Sequence, residues 1–121
     1  MSKTDLAWLT ERPIAHRGLH DLNHEVWENT LSAFKLAAKK NFAIECDVHL
    51  TADNEVVVFH DNALGRLTGT DGFISQRTAA EMTALRVGGT KDHPPLLSQL
   101  LDTVDGKVPL IIELKGIPGY D

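Results

Sequence analysis

Two carboxylates, Glu45 and Asp47, stand two residues apart in the run Ala43-Ile-Glu-Cys-Asp-Val-His-Leu50. Side chains alternate along an extended strand, so these acids share one face while Ile44, Cys46, Val48 and Leu50 share the other. Like charges at that spacing repel, and burying them unpaired is costly. A hard divalent cation, Mg²⁺ or Ca²⁺, relieves the cost because it takes carboxylate oxygens. The competing account is an exposed edge strand whose acids face water, and spacing alone does not decide between them. Glu113, in Leu110-Ile-Ile-Glu-Leu-Lys115, shifts the balance. Its apolar neighbours predict a buried strand, and Lys115 shares its face. That pair reads either as an internal salt bridge or as a third metal ligand beside a phosphate-binding cation. Acids on two separate strands favour the second account.

His16 and His60 each end an apolar stretch. In parallel α/β sheets the C-terminal strand ends are where ligands bind. Imidazole titrates near neutrality, so two of them can serve as general acid and base. Arg17 follows His16 and is a permanent planar cation suited to phosphate. Asp61 follows His60, where it can fix the imidazole tautomer or cap the loop. A lone histidine at a strand end is more often structural, but a pair beside Arg17 and three carboxylates is harder to dismiss. His49 shares the face of the acids and either approaches the site or lies beyond it. His20, His24 and His93 read as solvated, and Cys46 as core packing opposite the acids.

These residues need elements to hold them. Pro13–His16 predicts a short strand and Leu19–Glu28 a polar loop. Asn29 and Thr30 offer N-caps to a helix carrying Leu31, Phe34 and Ala38, with Lys39 and Lys40 suited to its C-terminal end. Ala43–Leu50 predicts a strand, Thr51–Asn54 a turn, and Val56–Phe59 a strand buried on both faces. Asp61–Gly72 is loop-like. Thr78-Ala-Ala-Glu81 reads as a capping box opening a short helix that ends near Gly88–Gly89. Leu97, Leu100, Leu101 and Val104 recur at helical spacing, predicting an amphipathic helix over Leu96–Val104. Leu110–Leu114 predicts a buried strand, with a Gly/Pro loop at Gly116, Pro118 and Gly119. Alternation of strands and helices is the signature of α/β architecture.

The 121 residues fit one domain, within the usual range of roughly 100–200 residues. With 12 Lys+Arg against 17 Asp+Glu the net charge is −5, which argues against a nucleic-acid partner. The 42% apolar fraction is that of a globular chain, and the single cysteine excludes an internal disulfide. The opening MSKTDLAWLTERP lacks the apolar run of a signal peptide, and no stretch approaches ~18 apolar residues. The expectation is a soluble cytoplasmic protein with no membrane span.

Taken in order, His16-Arg17-Gly18, Glu28-Asn29-Thr30, Glu45-x-Asp47, His60-Asp61 and Ile112-Glu113-Leu114-Lys115 resemble the glycerophosphodiester phosphodiesterases. His60-Asp-Asn-Ala-Leu64-Gly-Arg66-Leu-Thr68 is similar to that family's HD-x-x-L-x-R-x-T loop. Pro95-Leu-Leu-Ser-Gln-Leu-Leu101 resembles the segment before its fourth barrel strand. The match runs from Ile14 to Lys115. Trp27 departs from it, standing where the family usually has proline.

The resemblance implies an α/β fold of the TIM-barrel (β/α)8 type, of which this chain supplies about the first four strands. Such barrels take ~250 residues, so residues 1–121 would be the N-terminal part of the family's domain. The resemblance further implies that Glu45, Asp47 and Glu113 hold one Ca²⁺ or Mg²⁺. His16 and His60 would be general acid and base, and Arg17 and Lys115 would bind phosphate. The reaction would release glycerol 3-phosphate and an alcohol such as choline or ethanolamine from a small-molecule phosphodiester. The family route has the glycerol 2-hydroxyl attack phosphorus, giving a cyclic phosphate that water opens. It also favours a non-helical crossover between Asp47 and His60, keeping both strands parallel, whereas the residues alone lean towards a hairpin. Two alternatives stand beside the enzyme. One is a non-catalytic half-barrel that self-associates to cover its open edges. The other is a lysophospholipase D or sphingomyelinase D-like phosphodiesterase on the same scaffold.

Overall fold

A computed structural model describes residues 12–115. The N-terminal segment read for a leader and the loop at Gly116, Pro118 and Gly119 lie outside the described residues. Within them the chain forms strand β1 (Ile14–His16), helix α1 (Leu31–Lys39), strand β2 (Ala43–Leu50) and strand β3 (Val56–Val58). Helices α2 (Gly65–Thr68), α3 (Ala79–Thr83) and α4 (Leu97–Val104) and strand β4 (Leu110–Leu114) follow. Two 3₁₀ turns, Ile74–Gln76 and Val87–Gly89, join the middle elements.

β2 is the centre of the four-stranded sheet. β1 pairs with it in parallel over Ala43–Glu45, and β4 in parallel over Ile44–Val48. β3 pairs antiparallel over Val48–Leu50. The overlaps at Ile44, Glu45 and Val48 put β4 along one edge of β2, and β1 then β3 along the other. The crossover favoured by the family resemblance is therefore not formed; the connection is a hairpin. Its turn explains why. Thr51 N donates to Glu55 O at 2.9 Å, Asn54 N donates to Thr51 O at 3.0 Å, and Asn54 takes φ 62°, a conformation asparagine tolerates. Five residues closed in this way leave no chain for a crossover.

Two apolar clusters flank β3. Ile44, Cys46 and Val48 of β2 and Val58 of β3 pack with Phe34 and Ala37 of α1 and with Leu100 and Val104 of α4. Val57 and Phe59 face the other way, joining Leu64, Leu67, Ile74, Met82 and Val87. The run Val56–Phe59 is continuously apolar because it separates two cores. α1 starts as the caps predict, with Thr30 Oγ1 accepting from Ala33 N at 3.2 Å. Asn29 is not the cap. On α4 the stripe is narrower than the spacing predicts: Leu100 and Val104 are buried, and Leu101 is 47% exposed on its flank. The loop predicted over Asp61–Gly72 contains one helical turn, α2. The helix predicted to run from Thr78 towards Gly88–Gly89 stops at Thr83, and its last part is the 3₁₀ turn.

The largest departure is β4. Its four apolar residues predict burial on both faces, yet Ile112 and Leu114 are 39% and 46% exposed. Among the described residues no strand pairs with its outer edge. A hydrophobic run reports what a strand is suited to bury, not what covers it.

Trp27 packs against the second cluster, and its indole lies against Gly88. A Cβ on Gly88 would fall 2.1 Å from Trp27 Cε2, and Gly88 also takes φ 61°. Gly88→Ala should therefore cost more than the ~1 kcal/mol that left-handed backbone alone imposes. In a Trp27→Ala background only the backbone part should remain. Urea unfolding of the four variants reads the coupling, and additivity within ~0.5 kcal/mol would rule the contact out.

Candidate active site

β2 delivers the acids as alternation requires. Glu45, Asp47 and His49 lie opposite the apolar face, with Asp47 fully buried and His49 nearly so. β4 runs in register beside them, so Glu113 pairs across from Asp47. Carboxylate oxygens of Glu45, Asp47 and Glu113 all lie within 4.8 Å of one another.

The loop after β1 wraps this cluster. Arg17, at φ 61°, turns its backbone N–H to Glu45 Oε1 at 3.2 Å. Its Nε stands 3.5 Å from Asp47 Oδ2, and its Nη1 donates to Glu28 Oε2 at 3.2 Å. Asn29, also left-handed, donates from its backbone to Arg17 O at 2.8 Å and from Nδ2 to Asp47 Oδ2 at 3.1 Å. Gly18 follows at φ 81°, where a Cβ would meet Ala33 Cβ at 2.8 Å. That close approach presses the loop against the start of α1.

The charges respond to crowding. Burial and the neighbouring Asp47 and Glu113 carboxylates push Glu45 up to about 7, against the Arg17 N–H that lowers it. The Lys115 ammonium, 2.8 Å from Glu113 Oε1, holds Glu113 below the ordinary carboxylate range. Burial pushes the Cys46 thiol up to about 12, which fits packing rather than nucleophilic chemistry.

The residues fit a hard cation. Asp47 Oδ1 and Asn29 Oδ1 are buried oxygens without a hydrogen-bond partner, the state expected of lone pairs reserved for a metal. Glu45, Asp47 and Glu113 could hold one such ion.

Both strand-end histidines reach this end of β2. His16 sits in register with Glu45, its Nε2 3.8 Å from Glu45 Oε1, and its side chain is 64% exposed. The hairpin brings His60 alongside Asp47, because Phe59 N donates to Asp47 O at 2.9 Å. His60 Nδ1 lies 2.7 Å from Asp61 Oδ1. His49 donates from Nε2 to the His60 carbonyl at 2.8 Å, so it anchors that backbone. Burial lowers its pKa. His20 and His93 bond only within their own loops.

Sequence reasoning gave no separate roles to Glu28 and Arg66. Glu28 is 3% exposed and accepts from Arg66, Asn23 and Arg17. Burial would raise its pKa, but the Arg66 and Asn23 hydrogen bonds and the two guanidinium charges outweigh that and hold it at about 2. Only the Glu-Asn-Thr and HD-x-x-L-x-R-x-T patterns flagged these positions, since 38 residues separate the partners. A carboxyl depressed from its ordinary 4.5 stabilises the fold fully above that pH, and the contribution disappears as pH falls towards about 2. Urea unfolding at stepped pH should show stability falling through this window more steeply for the unmutated chain than for Glu28→Gln. Parallel profiles would contradict the pairing.

Comparison with known proteins gives a consistent result. The sequence model described as the glycerophosphoryl diester phosphodiesterase family matches residues 16–120. The Bacillus subtilis (strain 168) protein YhdW is 39% identical over 112 residues, covering 87% of this chain and 45% of that protein. A glycerophosphodiester phosphodiesterase of Caldanaerobacter subterraneus subsp. tengcongensis is 37% identical over 110 residues, covering 84% and 44%. Among solved structures, an Oleispira antarctica phosphodiesterase in complex with the product sn-glycerol-3-phosphate superposes with a TM-score of 0.76 at 32% identity. That match covers 86% of this chain and 44% of the other. The chain thus spans less than half the length of each of these relatives.

Proposed function

Because the chain belongs to the glycerophosphoryl diester phosphodiesterase family, with a fold of the TIM-barrel type, we propose that it carries the metal-binding and proton-transfer groups of a phosphodiesterase. The substrate class is a glycerophosphodiester, cleaved to glycerol 3-phosphate and an alcohol. The observation that carries this reading is the meeting of Glu45, Asp47 and Glu113 within 4.8 Å, with Arg17 and Lys115 against them.

Glu45, Asp47 and Glu113 would hold Ca²⁺ or Mg²⁺, which when bound polarises a phosphoryl oxygen and offsets developing negative charge. Arg17 and Lys115 bind phosphate oxygens and stabilise the same charge. Asp61 accepts the Nδ1 hydrogen of His60, so the His60 Nε2 lone pair takes the proton from the attacking hydroxyl. His16, exposed beside Glu45, gives a proton to the alkoxide as its bond to phosphorus breaks, and water then opens the resulting cyclic phosphate to glycerol 3-phosphate.

Hydrolysis of glycerophosphocholine should be lost on adding EDTA and restored by Ca²⁺ or Mg²⁺. His16→Ala and His60→Ala should each lower kcat by about 10²- to 10⁴-fold while calorimetric metal binding persists. Asp47→Asn should abolish metal binding. Unchanged turnover in both histidine variants would sink the assignment. Lysophosphatidylcholine, run in parallel, reports the lysophospholipase D alternative.

The exposed β4 supports a second reading, association of two copies through this edge. Ile112 and Leu114 lie on an edge that no described strand covers. Light scattering of the 121-residue chain should then give a dimer mass, and Ile112→Lys should return a monomer. A stable monomer of the unmutated chain would exclude it.

A further inference from the structure

Arg66 forks between two carboxylates. Its Nη1 and Nη2 donate to Glu28 Oε1 and Oε2 at 2.8 and 2.9 Å. Its Nε and Nη2 donate to Asp61 Oδ2 and Oδ1 at 2.9 and 3.1 Å. Asp61 Oδ1 in turn meets His60 Nδ1. An ionised carboxylate only accepts, so the shared hydrogen belongs to Nδ1, and in the neutral ring the lone pair then belongs to Nε2. Free histidine in water favours the opposite, Nε2–H form, so this tautomer needs a cause.

Asp61 by itself is a weak cause, because it lies on a loop with its side chain 24% exposed. The guanidinium removes its freedom by engaging both oxygens in one plane. Arg66, its side chain 45% exposed, is held by its partners rather than by its own burial. It lies on α2 beside Leu67, which is buried in the second core, and its other prongs hold the buried Glu28. Glu28 also accepts from Arg17, and the Arg66 guanidinium ties this loop after β1 to Asp61 in the loop after β3. His49 fixes the His60 carbonyl, which leaves the ring orientation as the remaining freedom.

We propose that Arg66 is a positioning residue that fixes the Nδ1–H tautomer of His60 through Asp61. The inference rests on the reading of His60 as proton acceptor given above. Lysine cannot replace Arg66, since one ammonium does not offer paired parallel donors to two carboxylates.

The test is ¹⁵N NMR of histidine-labelled 121-residue chain at neutral pH, with unfolding curves to establish folding of each variant. The unmutated chain should show His60 as Nδ1–H. Arg66→Met and Arg66→Lys should both move it towards Nε2–H. In the hydrolysis assay each should lower kcat by about 10- to 100-fold with KM little changed. If Arg66→Met does not fold, Arg66→Lys carries the same comparison. An unchanged Nδ1–H signal in a folded variant overturns the proposal, as does an Nε2–H form in the unmutated chain. A shifted tautomer combined with full activity of His60→Ala would support the positioning and refute the catalytic reading instead.

Discussion

Three carboxylates held within 4.8 Å set the terms for everything around them. At an effective dielectric near 20, two unit charges at that distance repel by roughly 3 kcal/mol, and Asp47 cannot turn to solvent. The surroundings answer with donors: the Arg17 N–H to Glu45, the Asn29 amide to Asp47, and the Lys115 ammonium to Glu113. The answer is incomplete, since Glu45 is still pushed up to about 7. It also carries a conformational cost. Arg17 and Asn29 both hold left-handed backbone, and each occupies that region while serving a carboxylate.

β2 can hold such a cluster because its two faces do different work. Ile44, Cys46 and Val48 lock the strand onto α1 and α4, fixing the opposite face to the precision of a packed core. The antiparallel hairpin then does what a crossover would not. It brings His60 back beside the acids through a short turn, with the His60 carbonyl held by His49 and the Phe59 N–H by the Asp47 carbonyl. β3 is held in turn by apolar packing on both sides.

Much of this was legible in the residues. The bounds of β2 and β4 are those the sequence predicts, and the facing of Glu45 against Cys46 follows from alternation. The conflict over the hairpin had a readable resolution, for Thr51-Ala-Asp-Asn54 is turn chemistry, and family analogy pulled the other way. Burial of β4 was misread because an apolar run records capacity rather than occupancy. Asn29 looked like a cap because asparagine caps helices, whereas its amide is drawn to Asp47 and Thr30 caps instead. The Glu28–Arg66 pair could not be seen, because no local period links residues 38 apart.

The charge pattern joins these pieces. Around the site stand Glu28, Glu45, Asp47, Asp61 and Glu113, five carboxylates, against three permanent cations, Arg17, Arg66 and Lys115. With all five ionised, two negative charges are left over, the amount one divalent cation neutralises. The distribution matters as much as the total. Arg66 satisfies Glu28 and Asp61 through well-formed hydrogen bonds, and both are held at about 2. The deficit falls on the cluster of Glu45, Asp47 and Glu113, where Asp47 Oδ1 has no partner. Electrostatics thus divides the acids into an Arg66-paired couple that braces the loops and a second set, Glu45, Asp47 and Glu113, that keeps a local excess of negative charge. The same division separates the surroundings of the two histidines. His60 meets the Arg66-braced Asp61, while His16 borders the unbalanced cluster through Glu45.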